Sequence, residues 1–257
     1  FSGGTLSLHH AFDPDTFAAQ CRTQASGTVV LPGPALAPLA DTGCLGGNLK
    51  SIVALWRSPE RFAACAPWLG TATLVDVASF GESGLLASRR WPDGGPSPIP
   101  CGIVGAPHGA AGAVAVAETA RSDAGTLALR GAMVPAHAFP PGAERGSEPH
   151  LKTDEAGFVD TGFACRLECE TNTLSITASP GGITAVGGYR FRQNEIDWLV
   201  AKVDLDATIV ALPDGALGQR LAGSAPDHAA TITELQARGV NPLITGAFRT
   251  RKRANAA

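Results

Sequence analysis

Three short stretches hold the residue types that could do chemistry. Phe80-Gly81-Glu82-Ser83-Gly84 sets a hydroxyl beside a carboxylate in a Gly-bounded polar turn, directly after the apolar run Thr71 to Val77. A polar turn on a buried strand, with an aromatic residue in front of it, reads as a ligand-facing loop. Gly157 to Arg166 carries Asp160, Thr161 and Arg166 on a strand ending in a Thr161-Gly162 turn. Gly187 to Ile196 reads as a strand, a Gly187-Gly188 turn and the start of a helix. Generic catalytic patterns fail around these stretches. Gly81-Glu82-Ser83-Gly84 nearly imitates the nucleophile elbow of a hydrolase, but Leu85 stands where the last glycine belongs. Ser83 then reads as an ordinary turn serine, and the hydrolase serves only as a control. No glycine is followed by lysine, which excludes a Walker-type phosphate loop. Cys165 and Cys169 make a lone Cys-x3-Cys without a nearby histidine, which argues against zinc.

The elements that must position these residues follow from pattern. Among 257 residues, 44% are apolar and 17% charged, with 31 glycines and 19 prolines. Gly and Pro together exceed their usual share of about 12%, which favours short strands joined by turns over a helical bundle. Thr5 to His9 alternates like a strand, and Asp13-Pro14 offers an N-cap and a first-turn proline for a helix burying Phe17, Ala18 and Cys21. Thr28 to Leu31 and Ser51 to Leu55 follow as strands, a βαβ-like cadence that predicts a parallel or mixed sheet. Ala113 to Ala117 and Thr126 to Arg130 alternate like a hairpin. After Arg166 the texture changes. Leu174 to Thr177 and Ile183 to Val186 read as two strands around Pro180-Gly181-Gly182. Ile196, Leu199, Val200 and Val203 then form one helical face, Thr208 to Leu212 a strand, and Pro226 to Arg238 a helix with Ala229, Ile232 and Leu235 on one side. That describes a small α+β domain over residues 167–257, hinged onto a larger domain over residues 1–166.

Charge and cysteine usage narrow the setting. A net charge of −3 leaves no footprint for nucleic acid, and the basic stretch Arg249 to Arg253 reads as solvated. No membrane span is visible, and the six scattered cysteines suit a reduced, cytoplasmic protein. The chain opens at Phe1 inside a Gly-rich turn, as a fragment would.

Order and spacing together make the chain resemble the C-terminal half of an adenylate-forming enzyme: acyl- and aryl-CoA synthetases, nonribosomal peptide adenylation domains and luciferases. The resemblance runs from Ser2-Gly3-Gly4-Thr5-Leu6 to Phe248-Arg249. Phe80-Gly81-Glu82-Ser83-Gly84 matches the family's Tyr-Gly-x-Thr-Glu, and Gly125 to Gly131 its Gly-Glu-Leu strand. Thr161-Gly162-Phe163 matches Thr-Gly-Asp, with Arg166 at the following Gly-Arg, and Gly187-Gly188-Tyr189-Arg190-Phe191 with Glu195-Ile196 matches Gly-x-Arg-Ile…Glu-Ile. The resemblance implies the C-terminal part of a large mixed-sheet α/β domain, followed by a small mobile α+β domain, with a nucleotide site between them. It implies ATP, Mg2+ and CoA as cofactors, and a carboxylic acid with CoA or a carrier-protein thiol as partners. Acid and ATP would give acyl-AMP and pyrophosphate, and the thiol would then take the acyl group.

The same resemblance assigns roles. Phe80, with Gly81 beside it, would pack on adenine, and Ser83 would contact the α-phosphate and the substrate carboxylate. Asp160 and Thr161 would lie at the nucleotide, and Arg166 would contact ribose or phosphate, where a planar charged fork is suited. Gly188 would let backbone approach the thiol tunnel. The departures are as pointed. The magnesium-binding Glu falls at Gly84, leaving Glu82 two positions early as its substitute, and the ribose-binding Asp falls at Phe163. The adenine-side Gly-rich loop falls at Trp56 to Glu60, without its glycines, and the Gly-Lys cation falls at Gly246-Ala247. Loss of such a cation commonly costs several kcal/mol of transition-state stabilisation. The family's phosphate loop belongs before Phe1, so this segment alone is not expected to turn over. Two readings stand: a divergent acid–thiol ligase, and a non-catalytic homologue that binds an acyl-adenylate, CoA or a protein partner.

Overall fold

The structure, a computed structural model, describes residues 6–9, 12–23, 27–45, 49–64, 68–90, 94–105, 116–135, 151–186, 189–214 and 218–249. Contacts divide the chain into two units. One comprises Phe1–Trp56, Phe62–Ala78 and Leu86–Ser97; the other comprises Arg57–Arg61, Ser79–Leu85 and Pro98–Ala257.

The first unit is a four-stranded sheet in the order β1 (Gly27–Pro32), β2 (Leu49–Trp56), β3 (Thr73–Ser79), β4 (Leu85–Arg90). Strands β1, β2 and β3 run parallel, as the βαβ cadence predicts. Helix α1 (Pro14–Thr23) starts where Asp13 Oδ1 accepts from Thr16 N at 2.7 Å, and it buries Phe17, Ala18 and Cys21. With Leu36 and Leu39 of α2 (Leu36–Asp41), these pack on Ile52, Ala54 and Leu74 of the sheet. The strand expected at Thr5 to His9 does not form: Leu6 to His9 is irregular, with Leu6 and Leu8 exposed. Alternation needs a neighbouring strand to become a ladder, and among the described residues none pairs with Leu6 to His9. Thr5 itself lies outside the described residues.

The second unit holds two sheets. One is seven-stranded, in the order β5 (Ile99–Pro100), β11 (Thr173–Ala178), β10 (Val159–Glu168), β8 (Thr126–Arg130), β7 (Ala117–Arg121), β6 (Gly102–Val104), with β9 (Lys152–Thr153) also on β10. The hairpin forms between β7 and β8, so its first arm starts at Ala117, four residues later than expected, and residues 113–115 lie outside the described ones. Leu174 to Thr177 pairs antiparallel with β10 in this sheet and not with Ile183 to Val186. Residues 167–178 are thus continuous with the larger sheet.

The other sheet has the order β13 (Tyr189–Arg192), β12 (Ile183–Val186), β15 (Gly218–Ser224), β14 (Thr208–Asp214). Tyr189–Arg192, expected as the entrance to a helix, is a strand hairpinned on β12, and helix α3 (Gln193–Ala201) starts after it. Ile196 and Val200 of α3, Ile209, Leu221, Leu235 of α4 (His228–Ala237), Ile244 of α5 (Pro242–Thr245) and Phe248 close one core. Helix α4 is capped by Asp227, which accepts from Ala230 N at 3.0 Å, and Gly239 ends it at φ +68. Its inward residues are Thr231 and Leu235, while Ala229, expected inward, is exposed. Thr231 is tolerated inside because its hydroxyl donates to Asp227 O at 2.8 Å. Among the described residues no helix is long and apolar enough to cross a membrane, and Cys21, Cys44, Cys101, Cys165 and Cys169 are free thiols.

Candidate functional site

Strand β3 delivers the chain into a single 3-10 turn, Gly81–Ser83. The turn closes on itself: Phe80 N donates to Gly84 O at 3.0 Å, and Ser83 N donates to Phe80 O at 3.3 Å. Gly81 sits at φ +64 and Gly84 at φ +155, conformations that side-chain-bearing residues rarely adopt. Phe80 and Ser83 are fully buried. The Glu82 side chain lies outside the described residues.

Strand β10 passes next to this turn. The sequence suggests a strand ending at Thr161-Gly162. Instead one strand runs through to Glu168, and Gly162, at φ +74, makes a bulge where pairing with β8 breaks between Asp160 and Ala164. Alternation is kept across the bulge, so Val159, Thr161, Phe163 and Cys165 are buried while Asp160 points elsewhere. Asp160 Oδ1 accepts from Gly162 N at 2.8 Å, which fixes the bulge. Thr161 Oγ1 donates its only proton to Leu127 O at 2.7 Å and accepts from Phe163 N at 3.2 Å.

Phe163 meets Phe80 edge to face, with centroids 5.4 Å apart and planes at 87°. Both rings are inside, at 2% and 0% exposure. Such a pair contributes roughly 0.5–1.5 kcal/mol beyond the area it buries. Cys165, next along the same face, is raised above the ordinary thiol range, mainly by burial. Arg166 leaves this face: its side chain is 71% exposed, and its Nε and Nη2 both donate to Glu168 Oε1, at 2.7 and 2.6 Å. Gly188 lies outside the described residues. The fold therefore brings Phe80, Gly81 and Ser83 together with Thr161 and Phe163, and sets Arg166 apart at the surface.

A nucleotide with a divalent cation fits these residues poorly. No three His, Cys, Asp or Glu converge among the described residues. Position 84 is closed to a carboxylate by its backbone as well as its type, since a Cβ there would also come within 3.3 Å of Leu129 Cδ1. Phe80 is fully buried, with Phe163 against it. Among the described residues one buried side-chain acceptor, Glu60 Oε2, lacks a hydrogen-bond partner. Gly84→Glu is accordingly expected to destabilise the protein by about 1–3 kcal/mol and to confer no magnesium-dependent nucleotide binding, checked by urea unfolding and by titration with and without MgCl2.

Sequence reasoning missed a polar cluster in the other unit. Asp76 and Arg90 form a fully buried ion pair, with Arg90 Nε on Asp76 Oδ2 at 2.7 Å and Arg90 Nη2 on Oδ1 at 2.8 Å. Trp56 Nε1 adds a bond to Oδ1 at 2.8 Å. An acid inside the apolar run Thr71 to Val77 was the available signal.

The sequence matches no protein-family model and no curated protein. Solved structures match its fold. An amide bond synthetase, McbA from Marinactinospora thermotolerans, is 18% identical with a TM-score of 0.60, over 95% of this chain and 51% of its own. An artificially fused adenylation–PCP di-domain from Klebsiella oxytoca is 16% identical with a TM-score of 0.56, over 89% and 45%. A malonyl-CoA ligase complex with methylmalonyl-CoA and AMP is 18% identical with a TM-score of 0.54, over 88% and 52%. The chain thus has a mixed α/β fold shared with these three proteins and spans about half their length.

Proposed function

We propose that this chain is the C-terminal portion of a divergent acid–thiol ligase-like protein that has given up acid activation and keeps a binding role. The small mobile unit on this reading is the block from Ile183 onward. The observation that carries the proposal is the Phe80–Phe163 pair: the two positions that the resemblance assigns to adenine and ribose are occupied by each other's rings, both buried. The altered Gly84 and Ala247 point the same way. The ligand that remains is thiol-bearing, CoA or a carrier-protein thiol, approached at Gly187-Gly188, two positions without side chains. The matched complex with methylmalonyl-CoA and the matched adenylation–PCP fusion support that class of partner.

The second reading is a working ligase using ATP, Mg2+ and CoA. It is favoured by the retention, in order, of Ser83, Thr161 and Arg166. ATP–pyrophosphate exchange by the full-length protein with a panel of carboxylic acids separates the two. No exchange with any acid, alongside saturable binding of CoA, is expected. Exchange that disappears in Ser83→Ala would establish the ligase instead.

A further inference from the structure

We infer that the second face of the β1–β3 sheet, opposite the one that α1 and α2 cover, is a docking surface for helices, and that its occupant is the upstream part of this same polypeptide. This rests on the reading above of the chain as the C-terminal portion of a longer protein, and it names the surface on which the rest is seated.

Register defines the face. Across the three parallel strands Thr28, Ser51 and Thr73 stand in one row, Val30, Val53 and Val75 in the next, and Pro32, Leu55 and Val77 in a third. Successive side chains of a strand point to opposite faces, which puts Leu31, Ile52, Ala54 and Leu74 on the other side. The core that α1 and α2 complete is built from that other side and includes none of the nine. Val30 is 69% exposed, Thr28 is exposed, and the remaining seven are half-buried. Six of the nine are apolar and none carries a charge. A contiguous, uncharged apolar patch of this kind marks a binding surface.

Topology explains why it stands open. Strands β1, β2 and β3 are neighbours in sequence order, and right-handed crossovers between such neighbours all fall on one side. Leu36 and Leu39 from the first connection and Phe62 from the second do pack into one core. Helices α3, α4 and α5 are committed to the C-terminal core, so among the described residues no other helix remains to cover this face. Parallel sheets are covered by helices on both faces. The three solved structures share this fold over about half of their own length, and so hold a further half that these 257 residues do not supply. An uncharged aliphatic face fits helices whose facing stripe is equally apolar.

The test uses the full-length wild-type protein and a variant with p-benzoylphenylalanine in place of Val30; the same probe in place of Thr28 stands in should the first variant unfold. Hydroxyl-radical footprinting of wild type compares three valines by mass spectrometry, each against its own rate in urea-unfolded protein. Val30 is expected to be protected several-fold, as the buried Val200 is, while the half-exposed Val210 is not. Irradiation of the variant is expected to join position 30 to residues upstream of this sequence within one chain. Val30 oxidised as freely as Val210 would overturn the inference. So would a cross-link to a second copy, to another protein, to this chain's own 257 residues, or to nothing. A full-length polypeptide no longer than these residues defeats the reading of the chain as a portion, and this inference with it. A longer one with Val30 unprotected defeats the inference alone, and pyrophosphate exchange defeats only the non-catalytic part of that reading.

Discussion

Arg90→Met is expected to lower the stability of the protein by about 3–5 kcal/mol, because it leaves the Asp76 carboxylate charged, buried and short of its main partner. Asp76 is fully buried and Arg90 is 2% exposed. Arg90 occupies both carboxylate oxygens, and Trp56 Nε1 alone would remain on one of them. The pair joins β3 to the end of β4, and Trp56 closes β2, so three of the four strands of that sheet meet at one charge. The measurement is urea unfolding followed by tryptophan fluorescence. A loss below about 1 kcal/mol, the range of solvent-exposed pairs, would contradict the account. Asp76→Asn combined with Arg90→Met removes both charges and is expected to be more stable than Arg90→Met alone.

Phe248→Ala is expected to cost about 3–5 kcal/mol, the usual range for deleting a buried aromatic ring. Phe248 is fully buried in the C-terminal core. Its ring lies so close to Gly223 that a Cβ there would come within 2.6 Å of Phe248 Cδ1. His228 stands edge-on to it, with centroids 6.2 Å apart, and its Nδ1 donates to Phe248 O at 2.6 Å. The segment Gly246–Phe248, aligned by resemblance with the Gly-Lys arm of the ligases, is here a 3-10 turn docked on β15. Hydrogen exchange checks this directly. Amides of β15 and α4 should exchange far faster in Phe248→Ala, whereas unchanged protection would show the segment to be dispensable to the core.

Local features were legible in the sequence. The parallel β1–β3 ladder follows from the spacing of apolar runs, α1 from the Asp13 cap, and the Gly81–Ser83 turn from its glycines. Pairing partners were not. Leu174 to Thr177 and Ile183 to Val186 look alike as strands, and nothing in alternation says which sheet each joins; that depends on contacts far apart in sequence. The Thr161-Gly162 step reads as a turn because Gly at positive φ serves turns and bulges alike. At the candidate site, Phe163 was visible at the position where the resemblance expects an acid. That its ring would close on Phe80 was not, because Phe80 follows β3 at the start of the 3-10 turn and Phe163 lies on β10, far apart in sequence. Asp76 was equally visible, but its partner Arg90 is identified only when β3 and β4 are brought together.

Single-turnover mixing tests the central claim most directly. Full-length protein, in excess over radiolabelled ATP, is incubated with a mixture of carboxylic acids, Mg2+ and CoA, then quenched and resolved by chromatography. The account expects ATP to be recovered intact, with no acyl-adenylate, AMP or acyl-CoA above a protein-free control. Formation of acyl-adenylate in amounts approaching the ATP supplied would contradict it.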